Sequence, residues 1–185
     1  MRAILLTLFF AAAMARNVVA QPPVVPPGQA NKIAQSENAK DEAATFFKNG
    51  DGPAGLAKLQ ASVKSSPKAP PADVQVVGSL CSIARSMGAS QHAQTRNTVL
   101  LAVSEAAKAK PRLNRADAAY LDAQIGGLYE LILGDGVFAR QSYQASLAQD
   151  ATRKDAKAGL ARIDRVEALA QERIRENNEL RARGK

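Results

Sequence analysis

Gly50 to Lys58 read GDGPAGLAK, which fits G-x-G-x-x-G with a lysine close behind. Glycines at that spacing let a backbone approach a phosphate, so a nucleotide loop is the first reading. A second stretch, GDGVFAR from Gly134 to Arg140, fits the relaxed form that ends in alanine. A dinucleotide loop must follow a strand inside a strand–helix–strand unit. The residues leading into Gly50, AATFFKN, have helical spacing instead, and no acidic residue follows at the end of a second strand. Lys58 also lacks the direct Gly-Lys-Ser/Thr succession of a P-loop. Both stretches therefore read as turns, and neither a nucleotide nor any other cofactor is expected.

What the turns connect emerges when the chain is aligned on Gly50, Gly88 and Gly134. Five residues after each comes a small residue (Gly55, Ala93, Ala139), and thirteen after comes an aliphatic one (Val63, Leu101, Leu147). Seven residues before each is again small: Ala43, Cys81 and Gly127. An internal repeat of this kind describes helical hairpins. Glycine ends the first helix in an open conformation at little steric cost, and the small residues mark where the paired helices cross closely. Each hairpin leaves one apolar face uncovered, so hairpins stack. Start signals agree: Pro53 and Pro71 sit in candidate first turns, Ser90 can cap the next helix, and Asn114 with Asp117 resembles a capping box.

The pattern resembles the tetratricopeptide repeat family. Its first unit carries Phe46, NGDGPAGLAKLQASV and the closing Pro67, and its third carries Gly126, Tyr129, Gly134-Asp135, Ala139, Tyr143 and Leu147. The third unit needs a one-residue slip between Tyr129 and Gly134. The middle unit keeps Leu80, Gly88 and Ala93, has Asn97 where an aromatic is expected, and runs long, to about Ala109. The glycine spacings of 38 and 46 residues exceed the family's 34.

The resemblance implies an all-α fold: a short right-handed α-solenoid of about three hairpins plus a long C-terminal capping helix. It also implies a non-catalytic scaffold that binds a peptide or partner protein in a concave groove lined by the first helices. Phe46 fills the packing position, which turns Phe47 about 100° away, toward that groove. The groove residues implied are Lys40, Phe47, Gln75, Arg85, Tyr120 and Glu130. Ala44 stands where the family's carboxylate clamp would need an asparagine.

The expected organisation is a signal peptide at 1–20, a proline-rich extended spacer at 21–30, hairpins at about 36–70, 71–110 and 114–150, and a C-terminal helix over 151–185. Arg2, the 13-residue apolar run Ala3–Ala15 and the small-x-small ending Val18-Val19-Ala20 have the three-part layout of a secretory signal. That apolar run is short for a bilayer, though an uncleaved anchor is the rival reading. The mature protein would start at Gln21, be periplasmic or secreted, and carry +6 of the formal +8 charge once Arg2 and Arg16 are lost.

Little in the 185 residues points to catalysis. One histidine, His92, and one cysteine, Cys81, cannot build a multi-ligand zinc site. Cys81 falls at a helix crossing and reads as a buried, inert thiol. Asp117 with Asp122, and Glu172 with Glu176, read as helix-start and surface-pair carboxylates. Tyr120, Tyr129, Phe138 and Tyr143 read as core. In the tail, Leu160, Ile163, Ala170 and Ile174 form a stripe expected to cap the last hairpin, beyond which RENNELRARGK projects or frays. The partners expected are a protein or peptide, with two further options open: weak contact with an anionic surface through the basic tail helix, and a homodimer.

Overall fold

The computed structural model describes residues 27–64, 70–87 and 91–183. The expected signal peptide, most of the spacer, Pro67, Gly88 and Ser90 lie outside the described residues. Among the described residues seven α-helices follow one another: α1 (Pro27–Lys48), α2 (Gly52–Lys64), α3 (Ala72–Ser86), α4 (His92–Ala109), α5 (Arg115–Leu128), α6 (Gly136–Gln149) and α7 (Lys154–Arg183). No strand occurs among the described residues. Helix α1 starts at Pro27 rather than after Ala30. Proline is at home in a first turn, where its missing N–H has no helical partner to lose.

The GDG of the opening stretch is a helix stop followed at once by a helix start. Gly50 adopts φ 85°, and two hydrogen bonds, Gly50 N to Phe47 O (3.0 Å) and Asp51 N to Phe46 O (2.9 Å), close α1 in a Schellman arrangement. The Asp51 carboxylate then accepts from the Ala54 N–H (3.1 Å) and caps α2. Gly134 and Asp135 repeat the device, with φ 66° and an Asp135 cap on the Phe138 N–H (3.1 Å). Tyr129–Leu133 is a π-helical turn, which takes up an extra residue without breaking the helix.

Consecutive helices pair α1 with α2, α3 with α4 and α5 with α6; α3 packs on α2 and α5, and touches α1 only lightly. The outer two pairs are antiparallel. Glu42 meets Lys58 (2.5 Å) and Phe47 meets Gly55, while the Ser146 hydroxyl reaches the Ala119 carbonyl (2.7 Å) and Tyr143 meets Gly126. One core runs through α1 to α5 around Leu59, Val77, Leu80, Val99, Leu121 and Leu128. A second, smaller core joins α5, α6 and α7 around Ala139, Tyr143, Ala156 and Ile163. Burial of each leucine contributes about 1.5–3 kcal/mol.

Glycine makes room for the two buried aromatics. A methyl at Gly55 would sit 2.7 Å from the Phe47 ring, and one at Gly126 would sit 2.7 Å from that of Tyr143. Ring and bare backbone thus interlock in a core built mainly from aliphatic residues.

Several expectations are corrected. Ala93 is exposed, because α4 begins at His92 and makes its crossing contacts later, through Thr95, Thr98, Val99 and Ala102. Asp122 is buried, not a surface carboxylate; it binds the Lys110 ammonium (2.7 Å) and the Gln149 amide (2.7 Å). Phe138 is half exposed and stacks on Tyr129, with ring centroids 5.3 Å apart. The stripe on α7 caps the body only as far as Ile163; Ala170 and Ile174 are exposed.

Candidate functional site

Residues of α1, α3 and α5 line an open groove of about 930 Å³. Its floor is one face of α3. Gln75, Ser79, Ser82 and Ser86 recur at helical spacing, while Val77, Leu80, Cys81 and Ala84 on the other side are buried in the core. Gly78 widens the floor beneath the Tyr120 hydroxyl. Lys40 and Asp41 of α1 form one wall, and Asp117 and Tyr120 of α5 form the other.

Arg153, in the link to α7, also lines the groove. Its guanidinium lies 5.1 Å from the Tyr120 ring centre and is held by both oxygens of Asp155 (3.1 Å each). Asp117 is oriented by Asn114, whose side chain accepts from the Asp117 N–H (2.9 Å) and donates to its carboxylate (2.7 Å). That is the expected helix start, with the return bond made to the cap's side chain instead of its backbone. Lys40 has no ion-pair partner among the described residues, so its ammonium is available to a ligand.

Three of the six groove residues expected from the sequence, Lys40, Gln75 and Tyr120, are brought together here. Phe47 is corrected. It is only 2% exposed and fills the α1–α2 contact, while Phe46 takes the half-buried position. Gly55 gives the reason: the second helix offers its empty position on the Phe47 side. Arg85 lies outside the groove and reaches the Gln124 carbonyl at 3.5 Å. Glu130 is also elsewhere, in the π-helical turn, where it is bonded to α6 and α7. It takes two hydrogen bonds from Arg162 (2.7 and 2.8 Å) and one from the Tyr143 hydroxyl (2.6 Å). The Arg162 bonds hold its carboxyl below the usual range.

Sequence reasoning missed Ser79, Ser82, Asp117 and Arg153 as groove residues. The serines were legible as a polar stripe on an otherwise apolar helix. Arg153 lies after the last hairpin, where no repeat register points.

The remaining chemistry lies apart. Cys81 is fully buried, and desolvation pushes its thiol up to about 11, with Arg85 pulling the other way. Among the described residues, no group of three or more His, Cys, Asp or Glu is placed to hold a metal ion. No described helix is long and apolar enough to cross a membrane. Comparison with known proteins finds no matching family model, curated protein or solved structure.

Proposed function

We propose that this chain is an exported, non-catalytic adaptor whose three helix pairs stack as a short right-handed solenoid of tetratricopeptide-like hairpins. An extended segment of a partner protein lies in the groove over α3. The observation that carries this reading is the groove itself: three first helices contribute to one cleft, with hydroxyls and an amide beside Val74 and Ile83 along its floor and charges of both signs around it. Such a surface suits an extended backbone, which needs polar partners along its length and side-chain contacts at intervals. Tyr120 offers an aromatic edge that Arg153 holds in place, and Lys40 offers a cation to an acidic side chain or chain end. Export rests on the signal-like pattern at 1–20.

Attachment of the tail helix to an anionic surface is the rival. Helix α7 carries eight lysines and arginines against six aspartates and glutamates, a formal net charge of only +2, and this favours the groove.

The test is site-specific photo-crosslinking in the native compartment, with the crosslinker at Ser82 in the groove or at exposed Ala107 on α4. A partner captured from Ser82 alone, and lost when Tyr120→Ala or Lys40→Glu is added, supports the reading. Equal capture from both sites overturns it.

A further inference from the structure

The body of the protein ends before α7 does. Ala156, Gly159 and Ile163 are buried, and Arg140 ties α6 to Asp164 (2.7 Å) and Glu167 (2.9 Å). From Ala168 to Arg183 every residue is exposed. At 1.5 Å per residue those sixteen positions make an arm of about 24 Å. Leu169 and Leu180 on it are 54% and 66% exposed. Helical stability of this kind comes from packing an amphipathic face, and the described part of the chain supplies nothing for this one.

The face has a particular order. Leu169, Arg173, Glu176 and Leu180 follow one another at steps of four, three and four, the spacing of a coiled-coil seam. The seam is turned roughly 100° around the helix from the face that packs on the body, so it stays open after docking. Read backwards, leucine, arginine, glutamate, leucine becomes leucine, glutamate, arginine, leucine. The stripe is therefore complementary to an antiparallel copy of itself. Although Arg173 and Glu176 stand three apart, neither has an ion-pair partner among the described residues.

We propose that the free half of α7 is a self-association element. Two copies of the chain lay their arms side by side in opposite directions about a two-fold axis. Leu169 of each then rests on Leu180 of the other, and Arg173 of each pairs with Glu176 of the other. An isologous contact of this kind closes on itself as a dimer. Parallel arms would set arginine against arginine and glutamate against glutamate, so charge selects the antiparallel arrangement. With only four leucines and two ion pairs the dimer is weak and dissociates on dilution.

Sedimentation velocity of the full-length chain over a concentration series tests this. The wild type should shift from monomer to dimer. Arg173→Glu and Glu176→Arg should each weaken the dimer at least about tenfold, because either change turns two attractive contacts into two repulsive ones. An equimolar mixture of the two variants should dimerise again, and so should the double exchange R173E/E176R. All four positions are exposed, so the variants should keep wild-type helicity and melting. A wild type that stays monomeric throughout, or a dimer indifferent to R173E, overturns the proposal. So does a mixture that fails to restore association.

Discussion

The ring of Tyr143 occupies the place where a side chain on Gly159 would begin. A methyl added there would overlap the ring carbons, and the same ring also fills the space in front of Gly126. Helix α7 can therefore approach α6 only as bare backbone. Gly159→Ala is expected to lower stability by about 1–3 kcal/mol through overpacking, and the melting temperature by several degrees. Tyr143→Ala opens a cavity and costs about 3–5 kcal/mol. The double variant should cost clearly less than the two added together, since its methyl enters the vacated space. Strict additivity in thermal melts would mean that the ring and the glycine are not in contact.

Gly50 and Gly55, five residues apart, are glycines for different reasons, and substitution separates them. Gly50 has φ 85° and open space where a methyl would sit, so Gly50→Ala costs about 1 kcal/mol of backbone strain, and Gly50→Asn costs less. Gly55 has ordinary helical geometry but faces the Phe47 ring at 2.7 Å, so Gly55→Ala costs about 1–3 kcal/mol and Gly55→Asn more. Chemical denaturation of the four variants should show asparagine better than alanine at 50 and worse at 55. The same order at both positions would contradict the two mechanisms.

The Tyr143–Glu130–Arg162 cluster makes stability depend on pH at both ends of the scale. Bonding from Arg162 lowers the folded-state value of the Glu130 carboxyl. Its contribution is complete above the unfolded value of about 4.3 and is lost as pH falls through the lower folded value. Burial, together with the bond to Glu130, raises the folded-state value of the Tyr143 phenol. That contribution is complete below the unfolded value of about 10 and is lost as pH rises toward the folded one. Tyr143→Phe should flatten the alkaline limb of a stability–pH profile and lower the neutral plateau by about 1.5–3 kcal/mol, the range for a hydrogen bond to a charged acceptor. An unchanged alkaline limb would exclude Tyr143 as its source.

Cys81 should behave as a reporter of unfolding. Its thiol is buried and pushed up to about 11, so little thiolate exists near neutral pH and reagents have no access. Labelling by a disulfide reagent at pH 8 should be slower by orders of magnitude in the native chain than in denaturant. Fast native labelling would show that the α3 contact opens readily.

Among the described residues, the sequence alone determined the bends at Gly50 and Gly134. A glycine at positive φ, an aspartate placed to cap, and a proline in a first turn act over three or four residues, so Gly50-Asp51, Gly134-Asp135 and Asn114-Asp117 could be read directly. The all-helical fold followed, as did the end of α4 at Ala109. Tertiary structure alone decided which faces meet. A helical wheel sets Phe46 and Phe47 about 100° apart but cannot say from which side α2 arrives; the bare backbone of Gly55 settles that in favour of Phe47. Likewise Glu130 looked like a groove residue until α7 brought Arg162 to it. The reach of α7 beyond Ile163 depends on where α5 and α6 stop. Caps and turns are chosen by neighbours along the chain, whereas burial is chosen by neighbours across space, and one string of letters records only the first.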